Sequence, residues 1–96
     1  MLILVSYDVS TIDNDGRKRL RQVAKVCVNF GIRVQNSVFE CNIDSAQLVE
    51  LKKQLLNIYD SSKDSLRLYH LGNNFQNKVE HYGAKTTVDV EKPLII

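Results

Sequence analysis

The first residues with a chemistry to offer lie at the end of an apolar run. Leu4-Val5-Ser6-Tyr7-Asp8-Val9-Ser10 brings a lone carboxylate, Asp8, to the close of a segment otherwise built for burial. An aspartate in that position often opens a turn by accepting backbone amides. It is equally suited to be one half of a metal site whose other half is distant in sequence. If a two-fold axis brought Asp8 beside its own copy, the two carboxylates would repel unless a cation settled between them. Magnesium suits such a site, because it takes one or two carboxylates and keeps several waters. An ion of that kind can activate water against a phosphodiester and neutralise charge on the phosphate.

A second group of residues points the same way. Between Gly16 and Phe39 stand six basic residues, Arg17, Lys18, Arg19, Arg21, Lys25 and Arg33, and no acidic one. Net charge is only +2, so the basicity is local and implies a directed anionic partner. Cations in the first turns of a helix oppose its dipole, so helix stability does not account for Arg17, Lys18, Arg19 and Arg21. A bound phosphate backbone would, since guanidinium matches phosphate geometry. A solvated helix face is the plainer alternative, although the block holds no acid for i,i+4 pairing. Phe39 could stack on a base or belong to the core. His70 and His81 lack ligand spacing and read as structural or surface residues. Cys27 and Cys41 fit neither a disulfide framework nor a zinc pattern and read as buried thiols. No phosphate-cradling glycine loop or nucleophile elbow is present.

The elements that must position these residues follow from periodicity. Leu2–Tyr7 alternates with Leu2, Leu4, Ser6 and Asp8 on one face and Ile3, Val5 and Tyr7 on the other. Both faces are apolar for most of the strand, so both need a cover. A polar loop spans 10–16. A helix is expected from Asp15 or Gly16 to Phe30, stopped at Gly31, with Leu20, Val23, Ala24, Cys27 and Phe30 as its buried stripe. Residues 31–43 are β-rich, as a very tight hairpin or as one bulged strand. Asp44 and Gln47 have capping-box spacing for a second helix, whose stripe is Leu48, Leu51, Leu55, Ile58 and Tyr59. Leu66–Leu71 reads as a strand, Gly72-Asn73-Asn74 as a turn and Val79–Tyr82 as a short strand. An apolar tail ends in Leu94-Ile95-Ile96.

This order predicts an α+β fold, a ferredoxin-like βαββαβ sandwich with an antiparallel sheet and two helices on one of its faces. All 96 residues form one domain, with its core in 1–72 and a C-terminal strand and tail in 73–96. The uncovered face and the apolar tail both call for a second copy. The expectation is a homodimer packed sheet against sheet, with tails exchanged as edge strands. Nothing approaches a membrane span, and Met-Leu-Ile-Leu-Val is too short and uncharged for a signal peptide, so a cytoplasmic protein without membrane partners is expected.

Tyr7-Asp8-Val9, the Arg17–Arg21 run, the segment Arg33-Val34-Gln35-Asn36-Ser37-Val38-Phe39-Glu40-Cys41 and Leu71-Gly72-Asn73-Asn74 together resemble the second universal CRISPR-associated protein family (Cas-two), over essentially the whole chain. The resemblance implies a ferredoxin-like homodimer with an exchanged C-terminal strand. It implies metal-dependent cleavage of RNA or DNA phosphodiesters, with one magnesium ion shared by the two Asp8 of the dimer. It also implies partnership with the Cas-one integrase in spacer acquisition, an antiviral defence. Matched onto this chain, Asp8 is the metal ligand and Tyr7 its catalytic neighbour. Arg17, Lys18, Arg19, Arg21 and Arg33 are candidate phosphate contacts, and Phe39 closes the site region. A dimer that binds duplex DNA as a non-catalytic scaffold of the integrase complex is the alternative.

Overall fold

The computed structural model describes residues 1–9, 14–71 and 78–84. Its elements run β1 (Leu2–Asp8), α1 (Asn14–Val28), β2 (Ile32–Gln35), β3 (Val38–Asn42), α2 (Ser45–Ile58), β4 (Ser65–Leu71) and β5 (Lys78–Gly83). One antiparallel sheet carries the strands in the order β2-β3-β1-β4-β5. With β1 central and β3 and β4 at its sides, this is the ferredoxin-like arrangement, extended by β5 at the β4 edge.

The alternation of β1 divides the sheet into two faces. Ile3, Val5 and Tyr7 are buried, and they join Phe39 and Cys41 of β3 and Leu66 and Leu68 of β4 in the core. Val23, Ala24 and Cys27 of α1 and Leu48, Leu51 and Leu55 of α2 complete that core, so both helices lie on this face. Leu20, Phe30, Ile58 and Tyr59 pack at its rim, and the two expected stripes therefore face inward. The opposite face has no helix. Leu2 and Leu4 are half-buried there, in register with Leu71 and Tyr69 of β4, as is Val38 of β3 opposite Ser6, and Ile32 of β2 is 62% exposed.

Local chemistry explains the joints. At α2, the Asp44 side chain accepts from the Gln47 amide at 2.7 Å and the Gln47 side chain accepts from the Asp44 amide at 3.0 Å, a complete capping box. The helix α1 starts at Asn14 and ends at Val28, and its last turn is closed by Gly31 N–H donating to Cys27 O at 2.9 Å. Gly31 is needed for contact rather than for an unusual φ, because a Cβ there would sit 2.0 Å from Glu40 O. Segment 31–43 is both of the expected alternatives at once. It is a hairpin turning at Asn36-Ser37, and its register shifts between Arg33↔Phe39 and Gln35↔Val38, a bulge.

The last described strand, β5, pairs with β4 from Ser65↔Gly83 to His70↔Lys78. The 72–74 turn and the tail beyond residue 84, with the expected strand exchange, lie outside the described residues. No described helix is long and apolar enough to cross a membrane.

Candidate functional site

At its C-terminal end, β1 presents Tyr7 to the helix layer and Asp8 to the open face. Pairing with β4 sets Tyr7 opposite Leu66 and Asp8 opposite Ser65, which brings Asp64 and Ser65 to the same end of the sheet. Two polar groups of residues result, one on each side.

On the helix side, Asp64 is fully buried between Tyr7 and Arg19. Arg19 Nε donates to Asp64 Oδ2 at 2.7 Å and its Nη2 to Oδ1 at 3.1 Å, a bidentate pair. The Tyr7 hydroxyl donates to Oδ2, and the Asp60 amide donates to the same oxygen at 3.0 Å. Burial alone would raise the Asp64 pKa, but Arg19, Tyr7 and the Asp60 amide outweigh it and hold the carboxyl below its ordinary range. Tyr7 is pushed well above a free phenol, by burial first and then by the Asp64 charge. Gly83 closes the group from β5. Its φ is +125°, and a Cβ would meet Asp64 O at 2.0 Å, so only glycine lets β5 wrap this corner.

This arrangement departs from three expected site assignments. Tyr7 is not a partner of Asp8 in the same site, because neighbouring strand residues point to opposite faces and its hydroxyl is held by Asp64. Arg19 is turned inward, with only 13% of its side chain exposed and its fork filled by a carboxylate. Phe39 has no exposed surface with which to stack on a base. It is a core residue opposite Val5, and the Arg33 guanidinium lies 5.5 Å from its ring centroid.

On the open side, Ser6, Asp8, Ser65 and Arg67 line a cavity of about 150 Å³. Asp8 is exposed at its mouth. Ser65 Oγ lies 2.8 Å from His81 Nε2 on β5. Arg67 Nη1 donates to the Tyr69 hydroxyl at 3.4 Å, along the same face of β4. His81 is held below the ordinary imidazole pKa, first by burial and then by the Arg67 charge, which favours the neutral ring. Ser6, Ser65, Arg67 and His81 are the site residues that sequence reasoning missed. Their strands were legible, but the register that gathers them around Asp8 was not.

The remaining basic residues stay on the surface. Arg17, Lys18, Arg21 and Lys25 are exposed on α1, in the helix layer. Arg33 is exposed at the β2 edge, where its Nε donates to Asn36 O at 2.8 Å. Cys27 and Cys41 are free and buried, and burial raises both thiols, which fits the reading of inert core residues. A second polar group joins α2 to β4 and β5: Glu80 accepts from Lys52 Nζ at 3.0 Å and from the Tyr82 hydroxyl at 2.8 Å, and lies 2.5 Å from His70 Nε2.

For a metal ion, the described residues hold no cluster of three or more His, Cys, Asp or Glu side chains. The cavity offers one carboxylate and two hydroxyls. These are hard oxygen donors that suit magnesium, an ion content with one or two carboxylates and a shell of water. The donor set fits magnesium if a second carboxylate arrives from another copy.

Comparison with known proteins places the chain. The family model described as CRISPR associated protein Cas2 matches residues 1–79. The CRISPR-associated endonuclease Cas2 of Halalkalibacterium halodurans is 60% identical over 95 residues, which is 99% of both chains. The CRISPR-associated endoribonuclease Cas2 of Chlorobaculum tepidum is 57% identical over 96 residues, the full length of both. Among solved structures, that of Streptococcus pyogenes Cas2 at pH 6.5 superimposes with a TM-score of 0.73 and 55% identity, over 78% of this chain and 90% of that one. With an aspartate at the end of its central strand, a basic first helix and this topology, the chain belongs to the Cas2 family of CRISPR-associated proteins.

Proposed function

We propose that this protein is a metal-dependent endonuclease. It hydrolyses phosphodiester bonds of RNA or DNA as a homodimer and works with the Cas-one integrase in CRISPR spacer acquisition. The observation that carries the reading is the cavity on the open face, where Asp8 stands among two hydroxyls and Arg67. The names of the relatives support the reaction class: one is called an endonuclease and another an endoribonuclease. The uncovered apolar side chains of Leu2, Leu4, Ile32 and Val38 support a sheet-to-sheet dimer. Such packing would bring two Asp8 sites toward one axis.

In this mechanism Asp8 of each subunit would hold the ion, with Ser6 and Ser65 as further oxygen donors. When bound, magnesium acidifies water and neutralises charge on the phosphate. The chain itself supplies position. The paired strands fix Asp8 opposite Ser65. The exposed cations of α1 draw the nucleic acid toward the molecule by its phosphates.

Cleavage of single-stranded RNA and of duplex DNA, with and without magnesium, tests the reading. Wild type should cut one of them only with the ion, and Asp8→Asn should lose at least about 100-fold in rate, the scale seen when one electrostatic group is removed from an active site. An Asp8→Asn protein as fast as wild type would remove Asp8 from the chemistry. A second reading, a non-catalytic scaffold for duplex DNA, is favoured by the position of Arg17, Lys18, Arg21 and Lys25 in the helix layer, apart from the Asp8 face. In that case Asp8→Asn would leave DNA binding and spacer capture intact, and loss of Arg17 and Arg21 would abolish both.

A further inference from the structure

We infer that Arg67 is a substrate-binding residue of the Asp8 cavity and holds a phosphate oxygen of the nucleic acid beside Asp8, with the Ser65 hydroxyl as a second contact. The inference rests on the reading of that cavity as the phosphodiester site. Four observations lead to it. Arg67 lines the cavity together with Asp8, on a strand fixed by register to β1, Ser6↔Arg67 and Asp8↔Ser65. A guanidinium on a paired strand is a better-placed anion ligand than one on a loop. Second, the two arginines at this end of the sheet are used differently. Arg19 is saturated by a buried carboxylate, whereas none of the ion pairs among the described residues involves Arg67, whose Nη1 makes a long bond of 3.4 Å to the neutral Tyr69 phenol. Third, a cation beside a candidate magnesium site opposes binding of the ion alone and favours ion and phosphate together, the balance a substrate-loaded site requires. Fourth, Ser65 Oγ lies 2.8 Å from His81 Nε2 and Ser65 lines the cavity; with the proton on Nε2 the ring donates to Oγ and leaves the Ser65 hydroxyl proton to donate to a phosphate oxygen.

The test uses the full chain and separates binding from cleavage. An oligoribonucleotide is titrated without magnesium, where the proposed chemistry does not run, across a salt series with wild type, Arg67→Met and Arg67→Lys. Loss of one phosphate contact should weaken binding by about 10- to 100-fold and lower the slope of log affinity against log salt by about one. Arg67→Lys should keep the slope and recover part of the affinity, because a point charge replaces a fork. With a cleavable substrate at saturation, Arg67→Met should also reduce kcat, which a distant surface cation would not do. Unchanged affinity, slope and kcat in a folded Arg67→Met protein would overturn the assignment. Should Arg67→Met melt early, Arg67→Lys decides alone: wild-type affinity and kcat in that variant would overturn it. Failure of the nuclease reading shows separately, as Asp8→Asn cutting at the wild-type rate while the salt slope still reports on Arg67.

Discussion

The last turn of β1 separates two regions that share a backbone and differ in almost everything else. On the helix side, Tyr7, Asp64 and Arg19 form a closed group in which every buried polar atom has a partner. On the open side, Asp8, Ser65 and Arg67 surround space. Each of these two groups has one carboxylate and one arginine. On one side they meet and neutralise each other; on the other they are set around a cavity large enough for a ligand. Charges that meet inside a protein hold structure, and charged side chains grouped around a cavity mark a candidate binding site. The closed group also braces the open one. Tyr7 and Asp64 are the chain neighbours of Asp8 and Ser65, so fixing the first pair fixes the backbone that carries the second.

The comparison breaks most sharply at Asp64. Asp64→Ala leaves the Arg19 guanidinium without its partner in a nearly buried position and should cost about 3–5 kcal/mol of folding stability. Against a typical total of about 5–15 kcal/mol, that is enough to unfold a share of the protein at 37 °C. Asp8→Ala, at an exposed position, should stay within about 0.5 kcal/mol. Urea denaturation of both variants checks the contrast. Equal losses would mean that the two sides of the strand do not divide the work as described.

Tyr7→Phe sharpens the same contrast with a smaller change. It removes one hydroxyl from Asp64 and leaves the ring in the core, so the loss should be about 2 kcal/mol, the scale of a buried hydrogen bond to a charge. Arg19 and the Asp60 amide still satisfy the carboxylate. Once folded, Tyr7→Phe should cut nucleic acid at close to the wild-type rate. A Tyr7→Phe protein that is fully stable yet inactive would restore Tyr7 to the chemistry and contradict its assignment to the helix side.

Most of the architecture was legible in the sequence, because period and punctuation are local. The alternation of Leu2–Asp8, the helical stripes, the Asp44–Gln47 cap and the stop at Gly31 all lie within a few residues of one another. The site was legible only in part, for a matching reason. Asp8 announces itself by ending an apolar strand. Asp64 looks like another turn residue of the Asp60–Asp64 loop until β4 is laid against β1, and Arg19 looks like one cation of a basic run. His81 and Arg67 carry no spacing signal either, since what joins them to Asp8 is the register of three strands. The bulge in β2 shows the same limit. A hairpin and a bulged strand leave similar patterns over 31–43, and only the pairing of Arg33 with Phe39 and of Gln35 with Val38 shows that both are present.

The smallest expected effect concerns acid. Both carboxylates of the helix side, Asp64 and Glu80, are held below their ordinary pKa. Burial works against Glu80, but His70, Lys52 and Tyr82 overcome it and bring the group to about 2 from 4.5. A carboxylate with a depressed folded-state pKa contributes stability that is complete above its unfolded value and disappears as pH falls through the folded one. Glu80 therefore contributes fully above about pH 4.5 and progressively less down to about pH 2. Glu80→Gln keeps the shape but not the charge, and should lower stability at pH 7 by about 1–1.5 kcal/mol, the net worth of a typical hydrogen bond. The gap between wild type and Glu80→Gln should narrow across that acid window and close near its lower end, as read by denaturant titrations at successive pH values. A gap that stays constant from neutral pH to pH 2 would show that the Glu80 charge is not what fastens β5 to α2.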